Sequence, residues 1–494
     1  MIPNSCIRSI AAGLALLSLV AFTGGQANAQ PVPKPMPPHG IGSTEQIRFW
    51  NQVAIDASGL DHAPPAPGED RPFREQMGPG RASRALAIAQ IAVFDSVNAI
   101  FGGYESYTGL APASPGTSVD AAIAQAAHDT LVALFPAQTA HLDDVLADSL
   151  SRVRNGRPKA NGIALGQQAA AAILAMRSAD GSQHPEPIVG VTWFTSDDPG
   201  RWRQDPISLL PPALGAHWSE VTPFVLASSS QFRVPPPPAL NSPEYTAAFN
   251  EVKRLGGDGD VTPTERTPDQ TIAGIYWAYD GTPSLCAPPR LYNQILVQIA
   301  QERGSNVVDL ARLLALANSA MADAGIAIWE SKYYYDFWRP VTGIREADPG
   351  TGPTLAGDGN DDTEGILDYV PLCAPASNQG GKDFTPPFPA YPSGHAGFGG
   401  ALFQTLRNFY GTDDIAFTFV SDEFNGVTTD NEGNVRPLIP RSFANLSQAE
   451  EENGQSRIYL GIHWSFDKVQ GIAQGRSIAN YVFEHAFRPV SGQQ

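Results

Sequence analysis

Three short stretches of this chain carry residues that could bind an oxyanion and move protons around it. In Pro392-Ser393-Gly394-His395 the proline stops whatever precedes it, Ser393 is a good helix N-cap, and Gly394 lets a ligand approach bare backbone. His395 then sits in the first turn, where free N–H groups and the helix dipole favour negative charge. Lys332 and Arg339 are seven apart, which on a helix puts both cations on one face two turns apart, and Pro340 is expected to end that helix. The aromatic density around them, Trp329, Tyr333, Tyr334, Tyr335, Phe337 and Trp338, implies a largely buried segment, where unpaired cations are costly. In the third stretch Arg457 and His463 are six apart, and Gly461 supplies a break that could turn both toward one point. Ser465 is positioned to cap the next helix. Asp467 is near enough to accept a hydrogen bond from one imidazole nitrogen of His463, leaving the other aimed at a ligand. Three buried cations repel one another unless a multiply charged anion sits between them, and a tetrahedral or trigonal-bipyramidal oxyanion fits.

The elements that must hold these residues are mostly helices. Apolar residues recur at helical spacing over 84–100, 119–135, 139–153 and 162–177, and again over 242–255, 268–279, 290–303 and 306 to about 338. Further helices are expected over 393–410, 446–460 and 465–487, with loops over 346–387 and from 411 to about 440. The acidic turn at Asp358–Asp362 lacks the terminal glutamate of a calcium loop and reads as a solvated turn. Strand-like alternation is scarce, so the fold class is mainly α. Residues 30–79, rich in Pro and Gly, read as an extended arm. Residues 80–241 form a first helical half that ends in a long irregular stretch with Pro235–Pro238, and residues 242–494 form the second half, which carries all three motifs.

Composition narrows the function. A basic start ending at Arg8, an apolar run over 10–22 and Ala27-Asn28-Ala29 read as a secretory signal peptide over residues 1–29, which predicts a secreted or periplasmic protein. No later stretch is uninterruptedly apolar over the roughly 18 residues an ordinary membrane span needs. A net charge of −18 without a basic run argues against nucleic-acid binding. Cys6 lies in the signal peptide. Export makes a Cys286–Cys373 disulfide one reading, and two separate buried thiols the other.

The patterns Lys-x6-Arg-Pro, Pro-Ser-Gly-His and Ser-Arg-x5-His, complete and in order, resemble the signature shared by vanadium-dependent haloperoxidases, type 2 phosphatidic acid phosphatases and bacterial acid phosphatases. The segment Pro386–His395, with Trp329 three residues before Lys332, is similar to the fungal-type vanadium chloroperoxidase branch. The resemblance covers chiefly residues 280–467. It implies two four-helix bundles with the site at one end of the second. It further implies that vanadate is the cofactor, with His463 as the single protein ligand to vanadium and Lys332, Arg339, Ser393, Gly394 and Arg457 around its oxygens. His395 would be the acid–base group, Lys332 would also polarise bound peroxide, and Trp329 and Phe388 would line the halide side. Asp280 would pair with Arg457. Hydrogen peroxide and chloride or bromide would then give hypohalous acid, which halogenates a small organic acceptor.

Two other functions fit the same residues. A secreted acid phosphatase would use His463 as nucleophile and His395 to protonate the leaving group. An idle oxyanion-binding protein would need the cations and donors but no acid–base residue, and the presence of both histidines counts against it. The length of the chain and the apolar Trp329 and Phe388 favour halide oxidation over phosphate hydrolysis, which has no need of a dry pocket.

Overall fold

The computed structural model describes residues 43–490; the expected signal peptide lies outside them. Helix α1 spans Ser43–Asp61, within the stretch expected to be an extended arm, and this is a correction. Ile47, Trp50, Val53, Ala54 and Ala57 are buried along it at helical spacing. The remaining helices of the first half are α2 (Gly78–Phe101), α3 (Val119–Leu134), α4 (Thr139–Ser151) and α5 (Arg157–Arg177). After the irregular 178–242 connection come α6 (Pro243–Leu255), α7 (Pro268–Tyr276), α8 (Pro289–Glu302), α9 (Val307–Tyr335) and the short α10 (Pro340–Arg345). The chain closes with α11 (Gly394–Tyr410), strands β1 (Phe417–Asn425) and β2 (Leu438–Phe443), α12 (Leu446–Tyr459) and α13 (Ser465–His485).

Local chemistry sets many of the helix starts. The side chains of Ser118, Ser242 and Ser393 accept from backbone N–H groups three residues on, and Thr267 with Gln270 forms a reciprocal capping box. The antiparallel β1–β2 pair, in register from Phe417 opposite Phe443, replaces the loop expected there. Asn360 pins the acidic turn to the body by donating to Leu240 O and Thr246 Oγ1. Both cysteines are free and buried, so the separate-thiol reading holds; Cys286 Sγ lies 2.8 Å from Ser58 Oγ.

The helices pack as two sets of four, α1, α2, α3 and α5 in one and α8, α9, α11 and α13 in the other, with α2 against α9 joining them. Helices α2 and α9 are long and apolar enough to cross a membrane, but their apolar windows lie mostly or wholly inside the protein. Helix α9 is therefore a core helix, buried on every side from Leu310 to Lys332. Helices α11 and α13 approach almost to backbone contact. A Cβ on Gly475 would lie 2.0 Å from Gly397 O, and one on Gly471 would lie 2.5 Å from Ser393 O. The order of these contacts makes the two helices parallel, so their N-termini open side by side, tied by Ser393 N–H donating to Asp467 O at 3.0 Å.

Candidate active site

The three motifs meet where α11 and α13 begin. Lys332 occupies the last turn of α9, which Asp336 ends in a left-handed conformation at φ 53°. Arg339 therefore does not share a helical face with Lys332, and Pro340 opens α10 instead of closing α9. The cations converge because the segment before α11 folds across both of them. Lys332 Nζ donates to Pro389 O and Ala390 O at 2.8 and 2.9 Å, and Arg339 Nε donates to Phe388 O at 2.9 Å. Lys332, Arg339 and Arg457 are 0, 1 and 0% exposed, so none is a surface cation reaching for water.

Gly461, at φ 72°, breaks the chain between α12 and α13 and turns His463 back toward Arg339. Arg339 Nη1 donates to Ile462 O at 2.8 Å and to His463 Nε2 at 2.9 Å. His463 Nδ1 donates to Asp467 Oδ2 at 2.7 Å, an atom that also accepts from the Trp464 N–H. This fixes the tautomer: the proton is on Nδ1, and Nε2 offers its lone pair into the site. Arg457 Nη2 donates to Asp280 Oδ1 at 2.7 Å, the pairing that the family resemblance implies.

His395 is held by groups that lay outside the sequence reading. Its Nε2–H donates to Ala278 O at 2.5 Å, with Asp280 Oδ1 at 3.8 Å, so Nδ1 is the nitrogen left with a lone pair. Its own carbonyl accepts from Tyr292 Oη at 2.9 Å and Asn453 Nδ2 at 3.0 Å. The Ala278–Asp280 segment is in turn braced by β1. Tyr279 N–H donates to Glu423 Oε1 at 3.3 Å, and Ser421 Oγ donates to Tyr276 O at 2.6 Å. Glu423, fully buried, also accepts from Ser377 Oγ and Arg436 Nη1, both at 2.6 Å. A Tyr or Asn that grips a distant carbonyl has no local spacing to reveal it.

The electrostatics ask for an anion. Burial, then neighbouring Arg339, lowers Lys332 well below its usual value. Burial, then Arg339 and Lys332, holds His463 neutral, and burial with Arg457 lowers His395 to about 3. Buried Arg339 Nη2, Arg457 Nε and Arg457 Nη1 have no hydrogen-bond partner among the described residues. Orphaned guanidinium donors on mutually repelling cations are what a bound oxyanion would satisfy. Ser393 Oγ accepts from Ala396 N–H at 3.4 Å and keeps its own proton free to donate. A Cβ at Gly394 would lie 3.2 Å from the Trp329 ring, so the bare backbone there belongs to the cradle's shape. The residues present fit vanadate or phosphate alike.

One wall is apolar. The Trp329 and Phe388 rings lie 4.8 Å apart between centroids, and Lys332 Nζ lies 5.1 Å from the Phe388 centroid. Trp329 Nε1 donates to Leu214 O at 3.0 Å, fixing the indole plane. Both rings, with Gly394, His395, Arg457 and His463, line a cavity of about 430 Å³ that opens outward.

Residues 312–492 match the family model described as the VCPO second helical-bundle domain. The chain is 30% identical over 521 aligned positions to vanadium chloroperoxidase of Curvularia inaequalis, covering 90% of this chain and 82% of that one. Among solved structures, a bacterial vanadium-dependent iodoperoxidase matches with a TM-score of 0.71 at 24% identity, over 92% of this chain and 99% of the other. A holo-type bacterial vanadium-dependent chloroperoxidase matches with a TM-score of 0.60 at 16% identity, over 83% and 92%. At these identities the structural matches speak to the fold alone.

Proposed function

The chain belongs to the vanadium haloperoxidase family, and from that premise we propose that the cradle between α9, α11 and α13 holds vanadate on His463. The enzyme is a vanadate-dependent haloperoxidase that uses hydrogen peroxide to oxidise halide, here chloride or bromide, to hypohalous acid. Bound vanadium(V) supplies Lewis acidity toward peroxide without changing its oxidation state.

The protein's part follows from its geometry. His463 Nε2 carries the ligating lone pair, and Asp467 keeps the proton on Nδ1 and the ring in place. Arg339 would hold the anion through its orphaned Nη2, and through Nη1 once His463 Nε2 serves as ligand. Arg457 would offer its unpartnered Nε and Nη1 while Asp280 holds Nη2. Lys332 adds a third positive charge, and Ser393 Oγ and Gly394 N–H add donors at the start of α11. Neutral His395 would accept and give back a proton at Nδ1, on the side where peroxide binds, while Ala278 O holds its Nε2–H. Trp329 and Phe388 keep water from the halide side, where Lys332 attracts the anion. An organic acceptor then consumes the hypohalous acid. The N-terminal segment supports export to a periplasm or beyond.

The observation that carries this reading is the set of orphaned donors on buried cations around a neutral, carboxylate-oriented imidazole. It is tested by incubating purified protein with vanadate, hydrogen peroxide and bromide or chloride and following halogenation of a phenolic dye. Vanadate-dependent halogenation is expected. Phosphomonoester hydrolysis without it would establish the acid phosphatase alternative instead.

A further inference from the structure

The cavity above the cradle is larger than its inorganic substrates need. It measures about 430 Å³. A water-sized molecule takes about 30 Å³ of liquid volume, so the oxyanion in the cradle, peroxide and a halide, together about five or six such volumes, leave more than half of the space free. Leu210, Pro211, Phe384 and Pro386 line its walls, and exposed Arg74 and Lys382 line it as well. Neither cation is hydrogen-bonded or ion-paired through its side chain to any described residue; the Arg74 guanidinium lies over its neighbour Phe73 at 4.9 Å. Among the residues lining the cavity, Asp280 is the sole carboxylate, and Arg457 already holds it. In a chain of net charge −18, a cavity so free of negative charge is a local reversal.

The placement of Arg74 is built. Its N–H donates to Asp61 O at 2.8 Å, its φ is 66°, and the Asp61 carboxylate accepts from Glu75 and Gln76 N–H, both at 2.8 Å. Steering of a halide would need the cations but not the apolar walls. Unpaired cations over an apolar chamber suit an amphipathic anion.

We propose that the cavity binds an aromatic organic anion, a carboxylate-bearing phenol, as the acceptor. Its carboxylate engages Arg74 and Lys382, and its ring lies against Pro211, Phe384 and Pro386, facing the floor. The inference rests on the haloperoxidase function above. The chemistry balances: hydrogen peroxide, halide and one proton give hypohalous acid and water, the halide losing two electrons as the O–O bond breaks and the O–halogen bond forms. The ring then forms a carbon–halogen bond as the O–halogen bond breaks, and the displaced ring proton leaves with the hydroxide as water.

The test uses 3-(4-hydroxyphenyl)propionate and its methyl ester, whose rings react alike, in two measurements. The first is calorimetric binding of each to the full-length protein without vanadate or peroxide. The second is competition between them for bromination by the vanadate-loaded enzyme, compared with reagent hypobromite. Wild type should bind the acid about tenfold more tightly than the ester and show a similar excess of brominated acid over the reagent ratio, the size of one charge-assisted hydrogen bond. Arg74→Gln/Lys382→Gln, and Lys382→Gln in part, should lose both preferences. Equal binding of acid and ester, a product ratio equal to the reagent's, or a preference that survives in the double variant would overturn the inference. A wild type that binds the acid selectively but oxidises no halide would refute the parent function and leave the binding site standing.

Discussion

Replacing Asp280 by Asn and Arg457 by Met opens the buried ion pair at the cradle from its two sides, and the two variants should answer an added oxyanion in opposite ways. The charged atoms are 2.7 Å apart, with side chains 0% and 4% exposed. Removing one member of such a pair costs about 3–5 kcal/mol, because the other charge stays behind unpaired. An unfolding entropy of about 2.1 cal/mol/K per residue over roughly 450 residues makes 1 kcal/mol worth about 1 °C, so each variant should melt about 3–5 °C below the parent. Asp280→Asn leaves an uncompensated cation beside Lys332 and Arg339, which phosphate or vanadate can neutralise. Its Tm should therefore rise more steeply with oxyanion concentration than that of wild type. Arg457→Met removes a cation and its two orphaned donors, so its Tm should rise less than that of wild type. Calorimetric melting at pH 7 across a phosphate titration reads both. Equal phosphate responses in the two variants would refute the argument that the cations are gathered for an anion.

Two further outcomes test the frame around the site. Gly475→Ala puts a carbon 2.0 Å from Gly397 O with backbone on both sides, so α11 and α13 must part; a loss of about 2 kcal/mol or more in chemical denaturation is expected, and a neutral substitution would contradict the close approach. Burial raises Glu423 to about 7 from an ordinary value near 4.5. The folded state therefore holds this proton where the unfolded state releases it, and the contribution to stability is fully present below pH 4.5 and is lost as pH rises through 7. Glu423→Gln should flatten that part of the stability–pH curve by up to about one proton's worth, and an unchanged slope would contradict it.

Helix positions were legible because the helices carry their apolar faces at regular spacing and several announce their starts with Ser, Thr or Asn caps; α3, α6 and α11 fall within a residue or so of expectation. Helix α1 was missed because proline-rich chain flanks it on both sides, although its apolar residues recur at helical spacing. Strand β1 was missed because its buried positions run Phe417, Phe419, Ser421, Glu423, so that polar side chains interrupt the alternation. Those same polar residues brace the segment that holds His395 and Arg457. At the site, the sequence carried the residue types and, four residues apart, the Asp467–His463 pairing, whereas the Asp280–Arg457 pairing, 177 residues apart, came only from the family resemblance. The left-handed Asp336, which moves Arg339 off the helix, and the carbonyls of Phe388, Pro389, Ala390 and Ala278 were hidden, because main-chain acceptors supplied across the fold leave no mark in side-chain identity.

The division of labour between the two histidines is the centre of this account, and equilibrium dialysis against vanadate tests it most directly. His463→Ala removes the lone pair that Asp467 orients, while His395→Ala leaves that lone pair and all three cations in place. His463→Ala is expected to retain almost no vanadate, whereas His395→Ala should retain it and lose most halide oxidation. Equal loss of vanadate from both variants, or full retention by His463→Ala, would contradict it.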